Sequence, residues 1–84
     1  MRTIWKYPLV HGYQEVVMPE GATLLHVALQ GDQITLWAEV TPEQPTQEVY
    51  IHVIGTDHVV LSGADYIGTV QQGRFVWHVY EDHP

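Results

Sequence analysis

From residue 3 to residue 80 the chain alternates apolar and polar residues in short runs, punctuated by glycine, proline, aspartate and serine. A period of two is what a strand with one buried face requires. No long stretch spaces its apolar residues as a helix would, so the pattern predicts an all-β chain. Strands are expected at 3–9 (TIWKYPL), 14–18 (QEVVM), 23–30 (TLLHVALQ), 33–40 (QITLWAEV), 48–54 (EVYIHVI), 66–71 (YIGTVQ) and 74–80 (RFVWHVY). The polar segment TPEQPTQ at 41–47, with two prolines, reads as a loop. Met18-Pro19-Glu20-Gly21 reads as a turn with proline second and glycine fourth. Residues 56–65 are irregular, with one short helical turn near 58–65 and a turn at Ser62-Gly63. The architecture expected is a small antiparallel barrel or a sandwich of six to seven strands, as one domain over residues 1–84.

Two hairpins can be read with their register. Gly31-Asp32 as a two-residue loop suits a type II′ turn, which takes glycine first. It sets Leu29 against Ile34, Val27 against Leu36 and Leu25 against Ala38 on one apolar face. The opposite face pairs His26 with Trp37 and Leu24 with Glu39. In the last hairpin, Gln72-Gly73 as the loop sets Val70 against Phe75, Gly68 against Trp77 and Tyr66 against Val79. Its other face pairs Ile67 with His78 and Thr69 with Val76. These registers place His26 and His78 opposite the better apolar cluster of each hairpin. The tetrapeptides LLHV, YIHV and VWHV at 24–27, 50–53 and 76–79 share a His-Val pair every 26 residues. The period breaks elsewhere, where Trp5 and Trp37 fall opposite Gly31 and Gly63, so three similar strands explain the echo better than a repeat.

A chain of 84 residues buries only about 60% of the surface it exposes when unfolded. Such a domain gains from association, and the expectation is a homo-oligomer joined through edge strands 3–9 and 74–80. Cysteine is absent, which fits the cytoplasm and removes disulfides and thiolate metal sites. The start, MRTIWKYPLV, lacks the apolar core of a signal peptide, and no apolar run is long enough for a membrane span. Ten acids stand against three bases, Arg2, Lys6 and Arg74, for a net charge of −7. Duplex nucleic acid is therefore excluded as a partner, because its affinity comes from many phosphate contacts. One small anion held by one or two cations is not.

Catalytic chemistry is sparse. No H-x-H or other tight histidine pair with a third ligand suggests a metal, and neighbouring residues such as Asp57-His58 point to opposite faces of a strand. Ser62 is the only serine. A couple of Ser62 with His58 or His78, oriented by Asp65, would make a small hydrolase, but L-S-G-A is no nucleophile elbow and a turn serine explains it. No glycine-rich phosphate loop is present, and no cofactor is expected. The aromatic residues say more. Three tryptophans and five tyrosines exceed what a small core covers, so some should line a binding site or an interface.

The segments TIWKYPL, VVMPEGATLLHVALQ, LWAEV, VIGTDH and YIGTV…GRFVWHVYE resemble those of a family of small uncharacterised proteins of tailed bacteriophages and prophages. The likeness is strongest at Trp5-Lys6, Met18-Pro19, Gly21-Ala22, Leu36-Trp37-Ala38, Gly55-Thr56 with His58, Tyr66-Ile67-Gly68-Thr69 and Trp77-His78-Val79. Family members often carry glycine at the position of Asp57 and a proline-containing acidic turn over 59–64. The resemblance implies a phage setting and a stoichiometric role in the host cytoplasm, with no activity attached. The function expected is that of a non-catalytic, counter-defence binder that sequesters a nucleotide-like signal; a protein inhibitor of a host protein is the second reading. The ligand site is expected at a protomer boundary, drawn from Trp5, Lys6, Tyr7, Trp37, Tyr66, Arg74, Trp77 and His78. Bases stack on such rings, and Lys6 or Arg74 would meet the phosphate.

Overall fold

Alternation is realised as seven strands in the computed structural model, which describes residues 1–84. They are β1 (Thr3–Pro8), β2 (Gly12–Pro19), β3 (Thr23–Gln30), β4 (Gln33–Val40), β5 (Thr46–Gly55), β6 (Asp65–Gln72) and β7 (Phe75–Asp82). All pairs are antiparallel and form two sheets, ordered β1-β4-β3 and β2-β5-β7-β6. The architecture is an open sandwich rather than a closed barrel. Ile34, Leu36, Ala38 and Val40 of β4 face Val49, Ile51 and Val53 of β5 and Val79 of β7 in one core of thirteen buried residues. Burial of this face fixes each strand's register, since a slip of one residue would turn the apolar set to solvent. No helix is present that could cross a membrane.

The segment from 55 to 64 forms two turns, and no helical turn forms over 58–65. His58 N–H donates to the Gly55 carbonyl (3.3 Å) and Ala64 N–H to the Leu61 carbonyl (3.2 Å). The third residue of each turn has a left-handed backbone, Asp57 at φ 73° and Gly63 at φ 79°. Such a φ belongs to a type II turn and is easiest for glycine. The turn after β2 starts one residue later than expected, because Gly21 supplies the positive φ (78°) at its third position.

The β3–β4 hairpin keeps the expected register from Gln30 back to His26, around Gly31-Asp32. A bulge then intervenes, so Leu24 rather than Leu25 lies opposite Ala38, and Thr23 rather than Leu24 opposite Glu39. Leu24 packs on the core while Leu25 is turned out. The β6–β7 hairpin differs from expectation by two residues. Its loop is Gly73-Arg74, which sets Val70 against Trp77, Thr69 against His78 and Gly68 against Val79, and a second bulge precedes Gly68. Glycine occupies the first loop position here as in Gly31-Asp32, with φ 60° at both. Nor is the 74–80 segment an edge: β7 lies between β5 and β6. The β3 and β6 edges are folded together, and Gly68 is where they touch. A Cβ added there would stand 3.5 Å from the Val27 Cβ.

Candidate functional site

The three similar strands share a simple geometry. Val27, Val53 and Val79 point into the core, so the preceding histidines point out. His26 lies on the three-stranded sheet, near Trp37 (6.4 Å between ring centres), while His52 and His78 lie on the other. They do not converge, and no three His, Asp or Glu side chains gather in metal-ligating geometry.

The eight residues selected from sequence fall into three places. Trp5, Lys6 and Tyr7 of β1 and Trp37 of β4, with Ile4, line an open depression of about 420 Å³. Edge strand β1 leans on β4 and has little of the opposite sheet beneath it, which leaves Trp5 42% exposed. Lys6 pairs with Trp37 across the ladder, and its Nζ donates to Gln30 Oε1 at 2.8 Å. The Tyr7 hydroxyl is covered and has no hydrogen-bond partner; burial pushes its pKa above the ordinary phenol value.

Arg74 and Trp77 line a second depression, also about 420 Å³, with Gly55, Thr56, His58, Phe75 and Val76. Gly55 leaves the backbone bare under the His58 ring, so that a Cβ there would lie 3.6 Å from His58 Cε1. The Arg74 guanidinium sits 5.6 Å from the Phe75 ring centre and makes no ion pair. Trp77 is held firmly. Its ring stacks on His11 (4.0 Å, 21°), and its Nε1–H donates to Gln72 Oε1 (3.1 Å). The Gln72 Nε2 in turn donates to the Asp32 carbonyl (2.7 Å).

A smaller hollow of about 190 Å³ shares Gly55, Thr56 and His58 and reaches His78 and Tyr80. Here His78 and Tyr66 are joined by a chain of hydrogen bonds. His78 Nε2 lies 2.9 Å from Thr56 Oγ1, His78 Nδ1 3.1 Å from Thr69 Oγ1, and Thr69 Oγ1 2.6 Å from the Tyr66 hydroxyl. A neutral imidazole has one donor and one acceptor nitrogen, and the hydroxyls serve either tautomer.

The hydrolase grouping is not assembled. Ser62 lies exposed in its turn and hydrogen-bonds neither His58 nor His78, and Asp65 is bound instead to His83 Nε2 at 2.8 Å. Sequence reasoning missed His11, Gln72 and Phe75, which hold or border Trp77. Phe75 was legible as the neighbour of Arg74. The approach of His11 comes from the β1–β2 crossing between sheets and left no local signal.

No curated protein and no solved structure matches the chain. A family model described as a domain of unknown function, DUF7352, matches residues 1–84. The match extends from the first residue through the tail after β7, so both depressions and the strands that build them lie within it, and the chain belongs to the DUF7352 family.

Proposed function

We propose that this protein is a non-catalytic binding protein that sequesters a small anionic, nucleotide-like molecule at the depression beside Arg74. The observation that carries this reading is the unpaired Arg74 guanidinium over Phe75, at the rim of a hollow that also holds Trp77, Thr56 and His58. A guanidinium gives a phosphate paired donors, a hydroxyl and an imidazole add two more, and the rings offer faces to a base. The bare backbone at Gly55 seats the His58 ring at the wall of this hollow. Lys6 is the second cation free of a carboxylate, in the other depression. A homo-oligomer that set the β1 edge of one protomer against the β6–β7 hairpin of the next would bring both cations to one ligand. The likeness to tailed-phage and prophage proteins supplies the setting, a counter-defence sponge in the cytoplasm of a bacterial host.

The test is a thermal-shift screen against mono-, di- and cyclic nucleotides, followed by calorimetry on Arg74→Ala and Lys6→Ala. Each lost charge-assisted bond should weaken binding by about 10–150-fold, or ~1.5–3 kcal/mol. If no nucleotide stabilises the protein, or if both variants bind like the parent, the site is wrong. One observation then favours a protein inhibitor: the loop after β5 exposes Val59 (82%), Val60 and Leu61 together. In that reading Val59→Asp should abolish binding to the host target.

A further inference from the structure

The outer face of the four-stranded sheet carries a feature that the anion site does not use. Tyr13 of β2, His52 of β5, Tyr80 of β7 and Tyr66 of β6 are direct cross-strand partners in one row. Their rings meet edge-on, Tyr13 with His52 at 5.6 Å and Tyr66 with Tyr80 at 5.5 Å. The row crosses the whole sheet, about 15 Å at the usual strand spacing. Its ends are open, with Tyr13 48% and Tyr66 58% exposed. The next row is Glu15, Tyr50 and Asp82, and Glu48 lies beyond it. No lysine or arginine stands in either row, and none of these three carboxylates has a cationic partner. Asp82 accepts a 2.7 Å hydrogen bond from the Tyr13 hydroxyl, which with burial pushes the Tyr13 pKa up to about 12. Glu48, Tyr50, Glu81 and Asp82 also line a hollow of about 290 Å³ at this end. Arg74 is eight residues from Asp82 along β7, roughly 26 Å in extended chain.

We infer that this face docks an arginine-bearing segment of a partner protein, with one guanidinium between Tyr50 and the Glu48 and Asp82 carboxylates and further cationic side chains on the Tyr13–His52–Tyr80–Tyr66 row. Charge complementarity identifies the occupant. Uncompensated carboxylates beside flat tyrosine faces attract a cation that can both pair and stack, and arginine does both better than lysine. The surface is independent of the Arg74 depression, so either can fail without the other.

Fluorescein-labelled hexa-arginine and hexa-lysine, titrated by anisotropy at about 0.15 M salt, are the probes, since this salt screens the general field of an acidic protein. Hexa-arginine should bind with a micromolar Kd and hexa-lysine several-fold more weakly. Glu48→Gln combined with Asp82→Asn should weaken hexa-arginine by about tenfold or more. The matched pair Glu20→Gln with Asp32→Asn, equal in charge but placed in turns, should change it less than about twofold. Tyr66→Ser, with circular dichroism confirming the fold, should weaken it several-fold without changing charge, and Arg74→Ala should leave it intact. The inference is overturned by absence of hexa-arginine binding, by equal losses in the two carboxylate pairs, or by indifference to Tyr66→Ser. Binding of a neutral chito-oligosaccharide in place of hexa-arginine would also overturn it, and make the face a carbohydrate surface.

Discussion

The β3–β4 and β6–β7 hairpins match in length, with four strands of eight residues each. Each closes on a two-residue loop that begins with a glycine at φ 60°, and each has a bulge at the third residue of its first strand. Yet they bury opposite faces. The fourth residue of the second strand is Leu36 in one, fully buried, and His78 in the other, on the outer surface. The hairpins lie in opposed sheets, so a common frame must present opposite sides to a shared core. The difference teaches that hairpin geometry does not choose the buried face. The phase of the apolar alternation relative to the turn chooses it.

The strongest way to break this comparison is substitution at that fourth position. Leu36→Ala should cost about 3 kcal/mol or more, enough to unfold much of so small a domain, because it leaves a cavity in the core. His78→Ala should cost about 1 kcal/mol or less, since it removes two hydroxyl contacts on the surface. Urea midpoints compared at constant slope measure both, and equal losses would refute the opposed faces.

The shared loop sharpens it. Gly31→Ala and Gly73→Ala each force a side chain into the left-handed region, and each should cost about 1–2 kcal/mol. A large inequality between the two would show that the loops are not equivalent. The flank of the first hairpin offers a gain instead. Tyr7→Phe, on β1 beside β4, removes a covered hydroxyl that has no partner and should raise stability by about 1 kcal/mol.

The smallest effect distinguishes how the hairpins are tied at their open ends. Glu39 of the first pairs with Arg2 at 3.3 Å, whereas Asp65 of the second pairs with His83. A hydrogen bond from His83 to Asp65, aided by nearby carboxylates, raises the His83 pKa above its ordinary value. Its stabilisation is complete below the unfolded value of about 6.5 and is lost as pH rises through the higher folded value. Amide protection at Tyr66 should therefore fall over that interval while protection at Leu24 holds, and His83→Gln should abolish the dependence.

What the sequence disclosed follows how local each feature is. Strand positions, the all-β class and the Gly31-Asp32 hairpin rest on neighbouring residues and periodicity, whereas the choice of sandwich over barrel does not. The β6–β7 register went astray because two adjacent loops were open to Gly73, and only the glycine-first rule separates them. The bulges at Leu25 and Ile67 lie beside the contact between β3 and β6, where Gly68 meets Val27, and that contact is not local. The same limit applies to the sites. Lys6 beside Trp5 and Tyr7, or Arg74 beside Trp77, could be read along one strand. The division of these residues between two sheets could not, nor could the Tyr13–His52–Tyr80–Tyr66 row, which needs the β2–β5 and β5–β7 pairings.

The placement of β2 at a sheet edge, beside β5 alone, has a consequence for how the protein is made. During synthesis Gly12 leaves the ribosome long before Val53, its partner in the ladder. At about 5–20 residues per second the strand YQEVVM must wait some seconds for a sheet to join. In that interval β3 and β4 have each other as partners, but β2 has nothing to pair with until β5 arrives. Completion thus depends on distant segments, which places this chain among domains that fold in milliseconds to seconds rather than microseconds. During that wait Glu15 interrupts the apolar run and Pro19 ends it, two residues that make an unpaired strand a poor template for a neighbouring chain.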